Sequence, residues 1–159
     1  MMRPVKSDNV EIWHEADTGF ICARIAGRME KEDAVLLVGT ITSFLTDVLG
    51  PRKPYYVLID IRHATGVSPE ARKFFGDAPK ASAAARELEL GQRAAIFGGS
   101  FAFRTLANLI MRALSVAKAL TAKGDERLEA KWTMEADEGA ARAWLTEQRR
   151  ADRARAESP

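Results

Sequence analysis

The sequence predicts an α/β domain whose helices pack on a mixed, mostly parallel, five-stranded sheet. Three observations predict it. The run Tyr55-Tyr56-Val57-Leu58-Ile59 is unbroken and apolar, as in strands covered on both faces. Short strand patterns alternate with longer helical ones in the order ββαβαβαβα, which implies right-handed crossovers and parallel pairing. An opening hairpin adds one antiparallel strand.

The elements follow in order. Asn9 to Ala16 alternates loosely, with Val10 and Ile12, and His14 as a further candidate, on one face. Asp17-Thr18-Gly19 supplies a turn, and Phe20 to Ala26 returns as the second strand, ended by Gly27. Met29 to Leu49 has helical spacing through Ala34, Val35, Val38, Ile41, Phe44, Leu45 and Val48, and Gly50-Pro51 stops it. Tyr55 to Ile61 is the central strand, with Asp60 near its carboxyl end. Ser68-Pro69-Glu70-Ala71 is a helix start: serine caps, and proline at the next position is pre-set for helix. That helix is expected to reach about Leu90, with a break between Gly76 and Pro79, before a short buried strand at Arg93 to Phe97. Gly98-Gly99-Ser100 leads into a helix from Phe101 to Ala122, on which Phe101 and Phe103 point to different sides. Leu128 to Met134 is the last strand. Asp137 to Arg150 is the last helix, with Ala140, Trp144 and Leu145 inward. Residues 1–150 form a single domain on this reading, and 151–159 a flexible charged tail.

Composition bounds the function. The chain has 159 residues, enough for one domain with a full core. Its 24 basic and 22 acidic residues leave a net charge of +2, no electrostatic footprint for nucleic acid. A single cysteine, Cys22, excludes an intrachain disulfide and fits a reducing compartment. The polar start, Met1 to Val10, lacks the apolar core of a secretory signal, and no apolar run reaches the roughly 18 residues of a spanning helix. The expected location is the cytoplasm, without stable membrane insertion.

Ligands of such sheets bind beyond the carboxyl ends of the strands. That rule selects Asp60 to Ser68, Gly98 to Arg104 and Met134 to Asp137. Gly98, Gly99 and Ser100 at a helix start, with Arg104 one turn in, could hold an anion, and they equally suit a tight turn capped by Ser100. They form neither a Walker A loop nor a dinucleotide fingerprint. Asp60 could orient a ligand or partner, or bond backbone N–H groups of the segment it begins. His63 shares that segment. Two histidines and one cysteine do not make a zinc site, and no serine, histidine and acid stand at a hydrolase spacing. Cys22 reads as a small core residue. No cofactor, metal or catalytic residue is expected.

The segments Tyr55-Tyr56-Val57-Leu58-Ile59-Asp60-Ile61, Gly66-Val67-Ser68-Pro69-Glu70-Ala71-Arg72 and Ala94-Ala95-Ile96-Phe97-Gly98-Gly99-Ser100 with Arg104 resemble the SpoIIAA-like, or STAS/SEC14-type, family. Ala130-Lys131-Trp132-Thr133-Met134 and Glu138-Gly139-Ala140, then Ala143-Trp144-Leu145, continue the resemblance, which covers Val10 to Arg149 in element order. The resemblance implies a mixed sheet with helices against it, and relatives that are either anti-sigma-factor antagonists or lipid-binding domains. In the antagonists, an Asp-Ser pair follows the central strand, and its serine is phosphorylated by a partner kinase. Carried over by spacing from Asp60, Ser68 stands at the Asp position and Pro69 at the phosphorylated serine, where there is no hydroxyl. Ser68 could itself accept phosphate, since a dianion is favourable at a helix N-terminus.

The function expected is therefore a non-enzymatic regulatory or protein-interaction domain that lacks the antagonists' phospho-acceptor serine. The alternative is a carrier of a lipid or small anionic ligand, held between Asp60 and the helix from Phe101, with Gly98 to Arg104 on the polar head. The candidate binding residues are Asp60, His63, Ser68, Gly98, Gly99, Ser100 and Arg104. The expected partner is another protein. A homo-oligomer is left open by the hairpin's edge strand.

Overall fold

The computed structural model describes residues 3–49, 53–77, 91–105, 107–108 and 131–158. Six strands form one sheet in sequence order: β1 (Val5–Lys6), β2 (Val10–Glu15), β3 (Phe20–Met29), β4 (Tyr55–Val67), β5 (Gln92–Phe97) and β6 (Lys131–Glu135). The pairs β1–β2 and β2–β3 are antiparallel; β3–β4, β4–β5 and β5–β6 are parallel. The mixed, mostly parallel sheet expected from the sequence is present, with one strand more than five. That strand, β1, has two residues and too little sequence to carry an alternation.

Two helical layers cover the sheet. On one face lie α1 (Lys31–Phe44), which runs on as a π-helical turn from Leu45–Leu49, and α2 (Pro69–Asp77). The helix α3, which begins at residues 101–105, sends Phe103 into the same core and leaves Phe101 at 86% exposure. On the other face lies only α4 (Glu138–Glu157) among the described residues. Strand alternation feeds both layers. Along β4, Tyr55, Val57 and Ile61 enter the α1 side while Tyr56 and Leu58 enter the α4 side. The unbroken apolar run of β4 is thus the signature of a strand buried twice.

Several boundaries differ from expectation. β4 does not end at Ile61; it continues to Val67, paired with Ala26–Met29 of β3 through two register shifts. The expected loop from Asp60 to Ser68 is therefore strand, and this β3–β4 ribbon projects past β5, whose last partner on β4 is Asp60. The last helix does not stop at Arg150. It continues to Glu157, so residues 151–157 of the expected flexible tail are helical. Its buried stripe is Ala141 and Leu145, with Trp144 beside them; Ala140 is half-buried. The last strand starts at Lys131, where the described residues resume. The expected helical stretch from residue 78 to 90, and that from 109 to 122, lie outside the described residues.

Candidate functional site

Asp60 lies on the α4 face at the end of the β4–β5 pairing, and is 4% exposed. A buried carboxylate needs partners, and here they come mostly from its own strand. Residues two apart on a strand share a face, so Arg62 folds back onto Asp60. The Arg62 backbone N–H and Nε each donate to Oδ1 at 3.0 Å, and Nη2 donates to Oδ2 at 2.8 Å. Arg24 of β3 adds its Nε at 3.3 Å. Burial opposes the charge, but these bonds outweigh it and hold the Asp60 carboxyl below its usual range. Arg24 also reaches Glu11 and lies 5.4 Å from the Trp13 ring, while Arg62 lies 5.3 Å from that of Phe97.

The two glycines that follow β5 serve this arrangement. Gly98 and Gly99 have φ of +82° and +79°, a region costly for other residues. A Cβ on Gly98 would stand 2.3 Å from Arg62 Cγ, and one on Gly99 2.9 Å from Ile61 Cδ1. The glycines therefore let the turn press against β4 and leave space for the stem of Arg62. Ser100 caps α3, its Oγ accepting from the Phe103 N–H at 3.2 Å. Of the two readings of Gly98-Gly99-Ser100, the geometry is that of the tight, capped turn.

Beyond Asp60, the same face carries a chain of charge. Arg142 of α4 grips Glu15 of β2 with two 2.8 Å bonds and Glu138 with a third. The Arg142 guanidinium holds the Glu15 carboxyl down to about 2 against the opposing effect of burial, and the Arg142 pKa rises in return. Burial and then the Glu15 charge push the Cys22 thiol up to about 12, so it stays protonated and unreactive. Farther along, Arg93 is completely buried and bonds both oxygens of Asp152 at 3.0 and 3.1 Å, and the Tyr56 hydroxyl donates to the same carboxylate at 3.1 Å. Burial, then the Asp152 charge, raises the Tyr56 pKa. Arg149 reaches the Thr18 carbonyl. The cleft among Trp13, Cys22, Asp60, Phe97 and Arg142 measures about 20 Å³, enough for a single water.

Among the described residues, the expected site residues lie on both faces of the sheet. Asp60 and Gly98 meet through Arg62 on the α4 face. Ser68 is 1% exposed on the α1 side, its Oγ accepting from the Ala71 N–H at 3.1 Å as the cap of α2. Arg104 belongs to a helix packed on that second face through Phe103, and among the described residues it has no ion pair. Asp60 thus faces α4, whereas the helix that carries Arg104 packs on the α1 side through Phe103. His63 is exposed on the projecting ribbon. Met134 packs on the α1-side core, and Asp137 caps α4 by accepting from the Ala140 N–H. Among the described residues no three acidic, histidine or cysteine groups converge on a metal position, and no helix is long and apolar enough to cross a membrane.

Sequence reasoning missed Arg24, Arg62, Glu15, Arg142, Arg93 and Asp152. Arg62 shares the face of Asp60 two residues before it only because β4 runs on past Ile61, where the sequence reads as a loop. The others are joined only by the fold.

Two solved structures resemble the chain. One is an uncharacterized protein of the DUF3478 family with a SpoIIAA-like fold, from Shewanella loihica PV-4; it is 20% identical over 86% of this chain and 91% of that one, with a TM-score of 0.53. The other is the anti-sigma factor antagonist SpoIIAA in its unphosphorylated form, 11% identical over 89% of this chain and 97% of that one, with a TM-score of 0.50. No family model matches the sequence, and no curated protein matches it. On these two likenesses, with a mixed, mostly parallel sheet covered by helices, the chain has the SpoIIAA-like fold.

Proposed function

We propose that this chain is a non-enzymatic regulatory domain that binds another protein through the projecting end of β4 and the first turns of α2. The observation that carries this reading is the contrast at that end of the sheet. His63, Thr65, Glu70, Arg72 and Lys73 are exposed there, beside a Ser68 that is buried as a helix cap. The groups with chemical potential elsewhere support it. Asp60 is fully engaged by arginines, and the Cys22 thiol is protonated, so neither is free to act as base or nucleophile. One structural neighbour is named as an anti-sigma factor antagonist and was captured in an unphosphorylated form. By that analogy the client is a protein. Pro69 has no hydroxyl and Ser68 is buried, so binding here is constitutive.

A photo-crosslinking side chain placed at Glu70 in living cells tests the reading. The expected result is one dominant protein adduct that disappears when Arg72 and Lys73 are both changed to Glu, and that persists in Ser68→Ala. No adduct at Glu70, or one indifferent to the charge reversal, contradicts it.

A further inference from the structure

The outer crest of α1 has the composition of an interface. No charged residue occurs between Asp33 and Asp47, in a chain of which 29% is charged. Yet Val35, Gly39 and Ser43 recur every fourth residue and all three are exposed, Val35 at 46%. The crest is uncharged and lined by small side chains, with Val35 as its exposed apolar group, a face suited to packing against another helix. Beside this crest, a groove of about 600 Å³ opens between α1 and the edge strand β1, walled by Val5, Leu36, Phe44 and Val48, the last at 61% exposure.

Charge placement identifies the occupant. Lys31 and Asp47 bracket the uncharged crest, both exposed and both without an ion pair among the described residues. They lie equally far from Gly39 in sequence, and so do Val35 and Ser43. A stripe of this kind is complementary to itself when reversed. At its midpoint, a Cβ on Gly39 would meet nothing within 4 Å, so another helix can approach closely there. Two-fold pairing presents the same patch twice, as isologous interfaces require, and opposes the two helix dipoles.

We propose that α1 packs antiparallel against the α1 of a second copy of this chain, crossing at Gly39. Lys31 of each protomer then faces the partner's Asp47, and Val35 fills the space over the partner's Ser43. One helix pair is a small interface, so the dimer is concentration-dependent. This surface is separate from the α2 surface assigned to a client, and either can fail alone.

Sedimentation of the intact chain from about 1 µM to about 1 mM tests the proposal. The expected result is a monomer–dimer equilibrium. Val35→Glu abolishes the dimer. Lys31→Asp and Asp47→Lys each weaken it about tenfold, and the double variant Lys31→Asp/Asp47→Lys restores it. Circular dichroism of the same variants, all at exposed positions, reports that they fold. Gly39→Cys forms a symmetric disulfide under mild oxidation, whereas Asp17→Cys does not; Cys22 is buried and stays out of the reaction. A chain monomeric throughout the range overturns the proposal. So does a dimer that Val35→Glu leaves intact, or a monomer that floats with phospholipid vesicles through the same crest.

Discussion

On the α1 side of the sheet, Val10, Ile12, Ile21, Val57, Ile61 and Ile96 meet the helices in a broad apolar core. On the α4 side the apolar core is small among the described residues, and the helix is held at both ends by arginine–carboxylate pairs: Arg142 on Glu15 near its start, Arg93 on Asp152 near its finish. The difference matters because the two kinds of attachment respond to different variables. Apolar burial is indifferent to pH and only weakly sensitive to salt. Ion pairs are costly to bury and stabilise only while complete, so losing one partner costs more than the pair contributed.

The sharpest break in the α4 attachment is Arg93→Met. It leaves Asp152 and the Tyr56 hydroxyl in a buried site with only the longer 3.6 Å contact of the half-exposed Arg155 as a cation, and is expected to cost about 3–5 kcal/mol in urea unfolding. Changing Asp152 to Leu in the same chain should recover much of that loss, because the stranded charge goes with it. The matching break on the other face is Ile12→Ala at a completely buried position, expected to cost about 2–5 kcal/mol with no dependence on pH.

Gly98→Ala probes the seam where Asp60 sits. Both the positive φ and the clash with Arg62 act against alanine, and the expected cost is about 1–3 kcal/mol. Gly19→Ala has a similar φ of +70° but open space around it, so its cost in the same assay should be smaller. The smallest effect is that of Ser68→Ala, about 1 kcal/mol, the loss of one helix cap.

The apolar side was the legible side. Tyr55 to Ile59 and the spacing of Ala34, Ile41, Phe44 and Leu45 announce a doubly covered strand and a packed helix from local pattern alone. The far end of β4 was not legible, because Arg62, His63, Thr65 and Gly66 have the composition of a loop; it is strand because β3 pairs with it as far as Met29. The end of α4 was hidden for the same reason. Residues 151–157 look like a solvated tail until Asp152 is seen to be the partner of an arginine 59 positions earlier. Of the candidate site, the turn reading of Gly98 to Ser100 and the binding of a backbone N–H by Asp60 were within reach of the sequence. The pairing of Asp60 with Arg24 across two strands was not.

The unequal attachment of the two layers is tested most directly by hydrogen-exchange protection along an acid titration. The Glu15 carboxyl, at about 2 in the fold against an ordinary 4.5, contributes stability that is complete above its unfolded value, whereas Asp60, also lowered, is bonded within β3 and β4 and bears on the sheet instead. The Glu15 contribution is lost progressively as pH falls from about 4.5 through about 2. Asp33 ties Ser7 and Asn9 to the first turn of α1 and is lowered too, so the comparison uses α1 amides from Leu37 onward. The expected result is that α4 amides lose protection in this window while those of α1 and of β5 keep theirs. Protection of α4 that survives to pH 2, or that vanishes together with that of α1, would contradict the account.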